Sequence, residues 1–350
     1  MNPLRHSSRR MTLRAFAASA LSASLLSAGL LAAPTALAQT TLKLSHQFPA
    51  ASTPDGDFRD RLAKQFAAEV EKRTNGQIKI VVYPGNSLMK TNTQFGAIRK
   101  GILDMTVLPL AYGGGEVPEV NLTLMPALIT SYEQGLRWRT SPVGQQLEKL
   151  LEDKGIKVLT WVWQAGGIAS SDKPMVAPDD VKGTKFRGGS REMDVMLKTA
   201  GAAITNVPSN EIYSGMQSRV LDAALTSSTS HISYRLFETS KSFTTGRDHS
   251  FWYMFEPLLI SNDVFKKLTP EQQKVMVEVG LSLEKFAMEE AKKDDERAAE
   301  VFAKAGVKVV DMDEASFRKW QALAQQTAWK DFAERVKDGQ RWMDMATSVK

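Results

Sequence analysis

Thr41-Leu42-Lys43-Leu44-Ser45 alternates polar and apolar residues with the period of two that turns one face of a strand toward a core. The stretch Phe48-Pro49-Ala50-Ala51-Ser52-Thr53-Pro54 after it has the chemistry of a loop and leads into a helix near Asp57. There the apolar period changes to four. Phe58, Leu62, Phe66 and Val70 form one stripe of a helix that runs to about Thr74, and Gly76 stops it. Ile78 to Tyr83 is again a strand, ended by Pro84-Gly85-Asn86, and a helix from about Thr91 to Lys100 leads to a strand from Met105 to Leu108. Strands alternating with helices predict an open α/β sheet with crossovers on both faces.

The same grammar returns later. Three more strands start at glycine, from Gly155 to Trp161, from Gly183 to Arg187 and from Gly306 to Val310. Ile98-Arg99-Lys100-Gly101-Ile102-Leu103-Asp104 resembles Met216-Gln217-Ser218-Arg219-Val220-Leu221-Asp222: in each a helix ends, a tight turn carries Asp, and an apolar strand begins. An echo about 118 positions apart predicts two lobes of similar construction, with chance similarity over so few residues as the alternative. Thr269-Pro270-Glu271-Gln272 is a helix start with a capping Thr, proline at the first helical position and Gln at the third, and helical composition continues to about Lys304 before Gly306. Some 35 residues at about 1.5 Å each make a rod of roughly 50 Å, a strut that touches both lobes unless the helix breaks near Gly280. Two lobes joined by crossing segments describe a trap that closes on a solute by hinge bending.

The first 38 residues change the picture. Arg5, Arg9, Arg10 and Arg14 precede an apolar run from Ala15 to Ala33, and Ala36-Leu37-Ala38 invites a signal-peptidase cut before Gln39. Residues 1–38 are an export signal on this reading, and Pro34 with the Ala- and Ser-rich run argues against a retained anchor. Ser8-Arg9-Arg10-Met11-Thr12-Leu13-Arg14 approaches the twin-arginine pattern with Thr12 at the usual aromatic position; an ordinary basic start is the alternative. These residues carry four arginines and no acid, so the formal charge falls from +6 to +2 once they are removed. That excludes a large basic field for nucleic acid. The full chain is 43% hydrophobic, and residues 39–350 are long enough to bury a substantial core.

Candidate chemistry is sparse. The absence of cysteine removes disulfides, thiolate metal sites and cysteine nucleophiles, and His46, His231 and His249 have no local metal-ligand spacing. Ser170-Ser171-Asp172-Lys173 matches the short Ser-x-x-Lys pattern without its partner motifs, which leaves it a solvated loop, and Gly113-Gly114-Gly115 lacks the lysine of a phosphate loop. Asp179-Asp180 and Asp294-Asp295 sit in contexts typical of helix starts and solvated faces. Lys185 and Arg187 share a face of a short strand that ends in Gly188-Gly189, and ligands of open α/β sheets bind beyond the carboxyl ends of strands. The glycines leave the guanidinium accessible, and its rigid fork matches a carboxylate; a surface arginine is the alternative from pattern alone.

Gly76 to Pro84, Lys100 to Asp104, Val181-Lys182-Gly183-Thr184-Lys185-Phe186-Arg187, Pro208-Ser209-Asn210-Glu211-Ile212-Tyr213 and Leu268 to Gln273, in this order and spacing, resemble the DctP-type solute-binding proteins of tripartite ATP-independent periplasmic (TRAP) transporters over about residues 41 to 340. The resemblance implies an α/β, two-lobed periplasmic-binding-protein-like fold with a long helix spanning both lobes. The expected division is residues 39–163 and 252–285 in lobe I, and 164–251 and 286–350 in lobe II. It implies a small organic acid held by the cleft arginine, which matches Arg187. Thr226 or Ser227 lands on a polar position after the second Leu-Asp turn, Gln47 on a position that often contacts ligand, and His46 beside it is a further candidate ligand contact or no more than a wall. Trp163 and Tyr253, with Trp161, Trp252 and Phe255, lie near the expected crossings as cleft walls or as core. A second arginine used by some members aligns with about Gly167, and the usual Arg-Val-Pro reads Arg187-Gly188-Gly189, which leaves the ligand's far end unassigned. Arg191 is a second cation for it or an exposed helix-start residue. The expected partners are that acid and integral-membrane TRAP permease subunits, with the chain periplasmic and monomeric, no cofactor, no metal and no catalysis. A secreted two-lobed hydrolase and a binding protein for a signalling receptor are the competing readings.

Overall fold

The computed structural model describes residues 39–350, and the export signal read in residues 1–38 lies outside the described residues. Alternation and four-residue spacing build the first lobe as β1 (Thr40–His46), α1 (Phe58–Arg73), β2 (Ile78–Tyr83), α2 (Thr91–Arg99) and β3 (Met105–Val107), followed by α3 (Tyr132–Trp138), α4 (Pro142–Asp153) and β4 (Ile156–Thr160). The side chain of Asp57 caps α1 by accepting from the Arg59 amide at 3.0 Å, and Phe58, Leu62, Phe66 and Val70 are all buried beneath it. β1 runs parallel to both β2 and β3, so the carboxyl ends of all three strands open on one edge.

The chain then crosses to a second sheet through β5 (Trp163–Ser170), β6 (Lys185–Arg187), α5 (Arg191–Thr199), β7 (Ala203–Ile204), α6 (Ile212–Gln217), β8 (Ala223–Ser227), α7 (Ser228–Ser233), β9 (Ser242–Thr244) and β10 (Tyr253–Phe255). It returns to the first as β11 (Leu258–Ser261), α8 (Asn262–Phe265) and α9 (Pro270–Ser282). It crosses once more along α10 (Glu284–Lys304) to β12 (Lys308–Val310), α11 (Glu314–Ala324), α12 (Lys330–Arg335) and α13 (Gly339–Thr347). The first sheet has strand order β2-β1-β3-β11-β4, and the second β12-β9-β5-β8-β6-β7 with β10 on β5, so each lobe of the two-lobed α/β fold has its own sheet. β10, within the span expected for lobe I, pairs with β5 of the second sheet, and α13, within the span expected for lobe II, packs on α4.

The internal echo has a common geometry. Gly101 (φ +66°) and Arg219 (φ +61°) turn the chain left-handed after a helix, and then Asp104 accepts from the Lys43 amide and Asp222 from the Lys185 amide, each at 2.8 Å. In each lobe the aspartate ties the turn to a neighbouring parallel strand, to the middle of β1 in the first and to the start of β6 in the second.

The rod from Thr269 to Lys304 is interrupted at Leu283 (φ −90°, ψ −7°), three residues beyond Gly280. Gly280 is where α9 meets the first sheet, since a Cβ there would lie 2.2 Å from the Leu159 carbonyl oxygen. α9 packs on β4 and α1, whereas α10, roughly 32 Å long, packs on β5 and α7 of the second lobe and also on α1. The break lets one helical run follow both lobes. Asp294 and Asp295, expected on a solvated face, are instead buried where α10 crosses, and Asp295 accepts from Tyr132 (2.7 Å) and Ser228 (2.5 Å), one from each lobe. Ser170, expected in a solvated loop, is buried at the end of β5 and accepts from the Asp172 amide.

Candidate functional site

β6 enters the interior as it runs: Lys185 is exposed while Phe186 and Arg187 are buried. The Arg187 guanidinium is only 2% exposed, so the glycines after it do not open it to solvent as the sequence suggested. Gly189 has φ +99°, and a Cβ there would lie 2.7 Å from Nη1; the glycine lets the backbone fold back over the guanidinium. Nε donates to the Val207 carbonyl at 3.1 Å and Nη1 to the Leu225 carbonyl at 2.7 Å, both from the second lobe. Nη2 donates across the cleft to the Tyr112 hydroxyl at 2.8 Å. All three partners are neutral, and Arg187 takes part in no salt bridge among the described residues. A buried cation without a bonded anion is costly.

The cavity holds about 350 Å³ and is lined by Asn92, Tyr112 and Asn121 from the first lobe and by Ser190, Asp194 and Asn206 from the second. Arg187 borders it through Tyr112 and Val207, which also lines it. The Asp194 carboxyl is pushed up to about 6 by burial, against the pull of the neighbouring Arg187 charge. Arg191, at the same cavity, pairs with Asp331 at 3.0 Å.

The other candidates separate into groups. Gln47 is buried beyond β1, its Oε1 accepting from the Thr91 hydroxyl (3.3 Å), its carbonyl from the Tyr234 hydroxyl (3.3 Å), and its Nε2 has no hydrogen-bond partner. His46 lies 3.1 Å from Asp60 and stacks on Phe48, within the first lobe. Ser227 caps α7 by accepting from the Ser230 amide, and Thr226 is buried in β8 opposite Gly167. Trp163 packs on Trp138 (5.5 Å) and Phe255 (5.1 Å), and Tyr253 meets Tyr132 edge-on at 5.4 Å; these rings form the core at the crossing. Gln47, His46, Thr226, Ser227, Trp163 and Tyr253 are not among the residues that line the cavity around Tyr112. At Gly167, the position that the family resemblance aligned with a second arginine, the carbonyl lies 2.9 Å from Nε2 of His231, which burial holds down near 4 and so keeps neutral.

Two residues that bridge the lobes escaped the sequence reading. Tyr112 follows β3 in the short helical turn Leu110–Gly113, beyond a strand's carboxyl end, the same placement that singled out Arg187. Arg59, 1% exposed, joins the lobes: Nε and Nη2 donate to Asp57 (2.9 and 2.6 Å), and Nη1 to Glu256 (3.2 Å), Ser230 (3.0 Å) and Ser227 (3.4 Å). The Phe48 ring lies under it at 3.7 Å. Burial pushes Glu256 up to about 7 even beside this cation, and Gln164 donates to the same carboxylate. A cation in the first turn opposes the helix dipole, so Arg59 at the start of α1 was the available signal of anionic neighbours.

Among the described residues no group of three or more His, Asp or Glu is arranged to hold a metal ion, and no helix is long and apolar enough to cross a membrane. The family profile described as bacterial extracellular solute-binding protein, family 7 (DctP), matches residues 50–335. A solute-binding protein of Albidiferax ferrireducens is 56% identical over 299 residues, covering 85% of this chain and 88% of that one. A crystal structure of a TRAP periplasmic solute-binding protein from Rhodoferax ferrireducens, with bound malonate, superposes with TM-score 0.87 at 54% identity over 88% of this chain and 98% of the other. The 2,3-diketo-L-gulonate-binding periplasmic protein YiaO of Escherichia coli is 28% identical, over 80% of this chain and 84% of its own length. The chain belongs to bacterial extracellular solute-binding protein family 7, the DctP-type solute-binding proteins of TRAP transporters.

Proposed function

We propose that this chain is the exported binding subunit of a TRAP transporter, which captures a small organic acid between its lobes through Arg187 and delivers it to integral-membrane permease subunits. The observation that carries this reading is a buried guanidinium held by three neutral oxygens from both lobes, at the border of a cavity of about 350 Å³. A carboxylate supplies the missing charge and matches the donor fork. Gln47 retains a buried, unpartnered amide and is assigned to the ligand with Thr226. His46, Ser227, Trp163 and Tyr253 support the cleft from behind through the contacts described above. Removal of the leader near Ala38 places the mature chain in the periplasm, in line with the names of relatives such as the E. coli protein.

A thermal-shift panel of malonate, succinate, pyroglutamate, galacturonate and glucuronate tests the reading, because a ligand that binds only the folded form raises the melting temperature with RT ln(1 + [L]/Kd). At least one acid is expected to raise it. Shifts with neutral sugars and none with any acid would overturn it.

A further inference from the structure

We propose that the Tyr112 hydroxyl is the latch of the anion site: its oxygen fastens Arg187 and the second lobe to the first, and its own proton is a donor to the captured carboxylate. This rests on Arg187 as the anion anchor. Tyr112 belongs to the first lobe, in the turn Leu110–Gly113 that leaves β3. Its oxygen accepts two N–H groups from the second lobe, Nη2 of Arg187 at 2.8 Å and the backbone amide of Ser209 at 3.0 Å. A phenolic oxygen accepts and also donates one hydrogen. With both accepted bonds in place, the hydroxyl hydrogen points away from Arg187 and Ser209, and Tyr112 lines the cavity.

Opening the lobes must break both bonds together, exposing a guanidinium edge and a main-chain amide whose oxygen partner lies on the other lobe. Shutting them brings the Tyr112 donor and the Arg187 fork to one place. A ligand carboxylate there receives hydrogens from both lobes at once, and capture and closure become one event. A ligand without an anionic oxygen satisfies neither donor fully and leaves the shut form without its added stabilisation.

The test compares the mature chain with Tyr112→Phe by calorimetry and stopped-flow, using whichever acid of the panel gives the largest thermal shift. Loss of a charge-assisted bond and a donor weakens binding about 10- to 150-fold. The change should appear in koff, because the latch exists only in the shut form. Ser209→Pro is the second variant: it deletes the amide and leaves the Tyr112–Arg187 bond. Ser209 opens a short helical turn after Pro208 (φ −67°, ψ 160°), positions that accept a following proline. It should raise koff by a smaller factor, roughly 3- to 10-fold. Unchanged koff in both variants, or a loss carried by kon alone, overturns the latch. A readout without ligand separates this from the anion reading. The Ser209 amide should exchange hydrogen faster in Tyr112→Phe than in the parent chain, and equal rates overturn the latch even if no acid in the panel binds.

Discussion

Arg187 and Arg59 are both buried guanidiniums that reach across the two lobes, yet their surroundings are opposite. Arg59 faces two carboxylates, Asp57 and Glu256, and burial raises Glu256 toward 7 even beside the cation. Arg187 faces two carbonyls and a phenol, and the Asp194 carboxyl acts on it only through space. The first cation is bonded to carboxylates of the protein and fastens the lobes together; the second is bonded only to neutral oxygens, which is what its proposed role as ligand anchor requires. Burial and residue type are the same in both, and the charge of the partners is what differs.

The largest effect expected from this contrast is on stability at Arg59. Arg59→Met strands Asp57 and Glu256 in the interior, a loss of about 3–5 kcal/mol read by urea denaturation. Arg187→Ala strands no bonded carboxylate, and its loss of stability should be clearly smaller; equal losses would break the comparison. Its effect should fall on binding instead, by about 2–5 kcal/mol, roughly 30-fold to several thousand-fold in calorimetric Kd. The smallest effect is on pH dependence. Burial pushes Asp194 up to about 6, so below that value its carboxyl is neutral and no longer offsets the Arg187 charge, while above it a carboxylate does. Affinity for an acid that stays ionised should therefore rise as pH falls from about 7.5 to 5.5, by up to roughly tenfold, equivalent to a one-unit mutual shift. Asp194→Asn should bind tightly with no such slope, and affinity that falls on acidification would contradict this placement of Asp194.

What the sequence made legible was local. Four-residue spacing and the Asp57 cap set α1, the Thr269-Pro270-Glu271-Gln272 box set the start of α9, and a strand ending in glycine, joined to the family resemblance, singled out Arg187. The contacts of Arg187 were not legible, because Tyr112 lies 75 residues away and Leu225 38 residues away, joined only by the packed lobes. The burial of Asp294 and Asp295 was hidden by the charged residues around them. Yet Ala287, Ala291 and Ala298 mark the inner stripe of α10, and the two aspartates fill its missing step. The helical period therefore carried the signal, and the charge of the side chains masked it.

The most direct measurement is a crystal structure of the mature chain with the acid that gives the largest thermal shift. Carboxylate oxygens are expected within hydrogen-bond distance of the Arg187 guanidinium nitrogens, with Arg59 still bound to Asp57 and Glu256. An acid seated elsewhere, with Arg187 still held only by Val207, Leu225 and Tyr112, would contradict it.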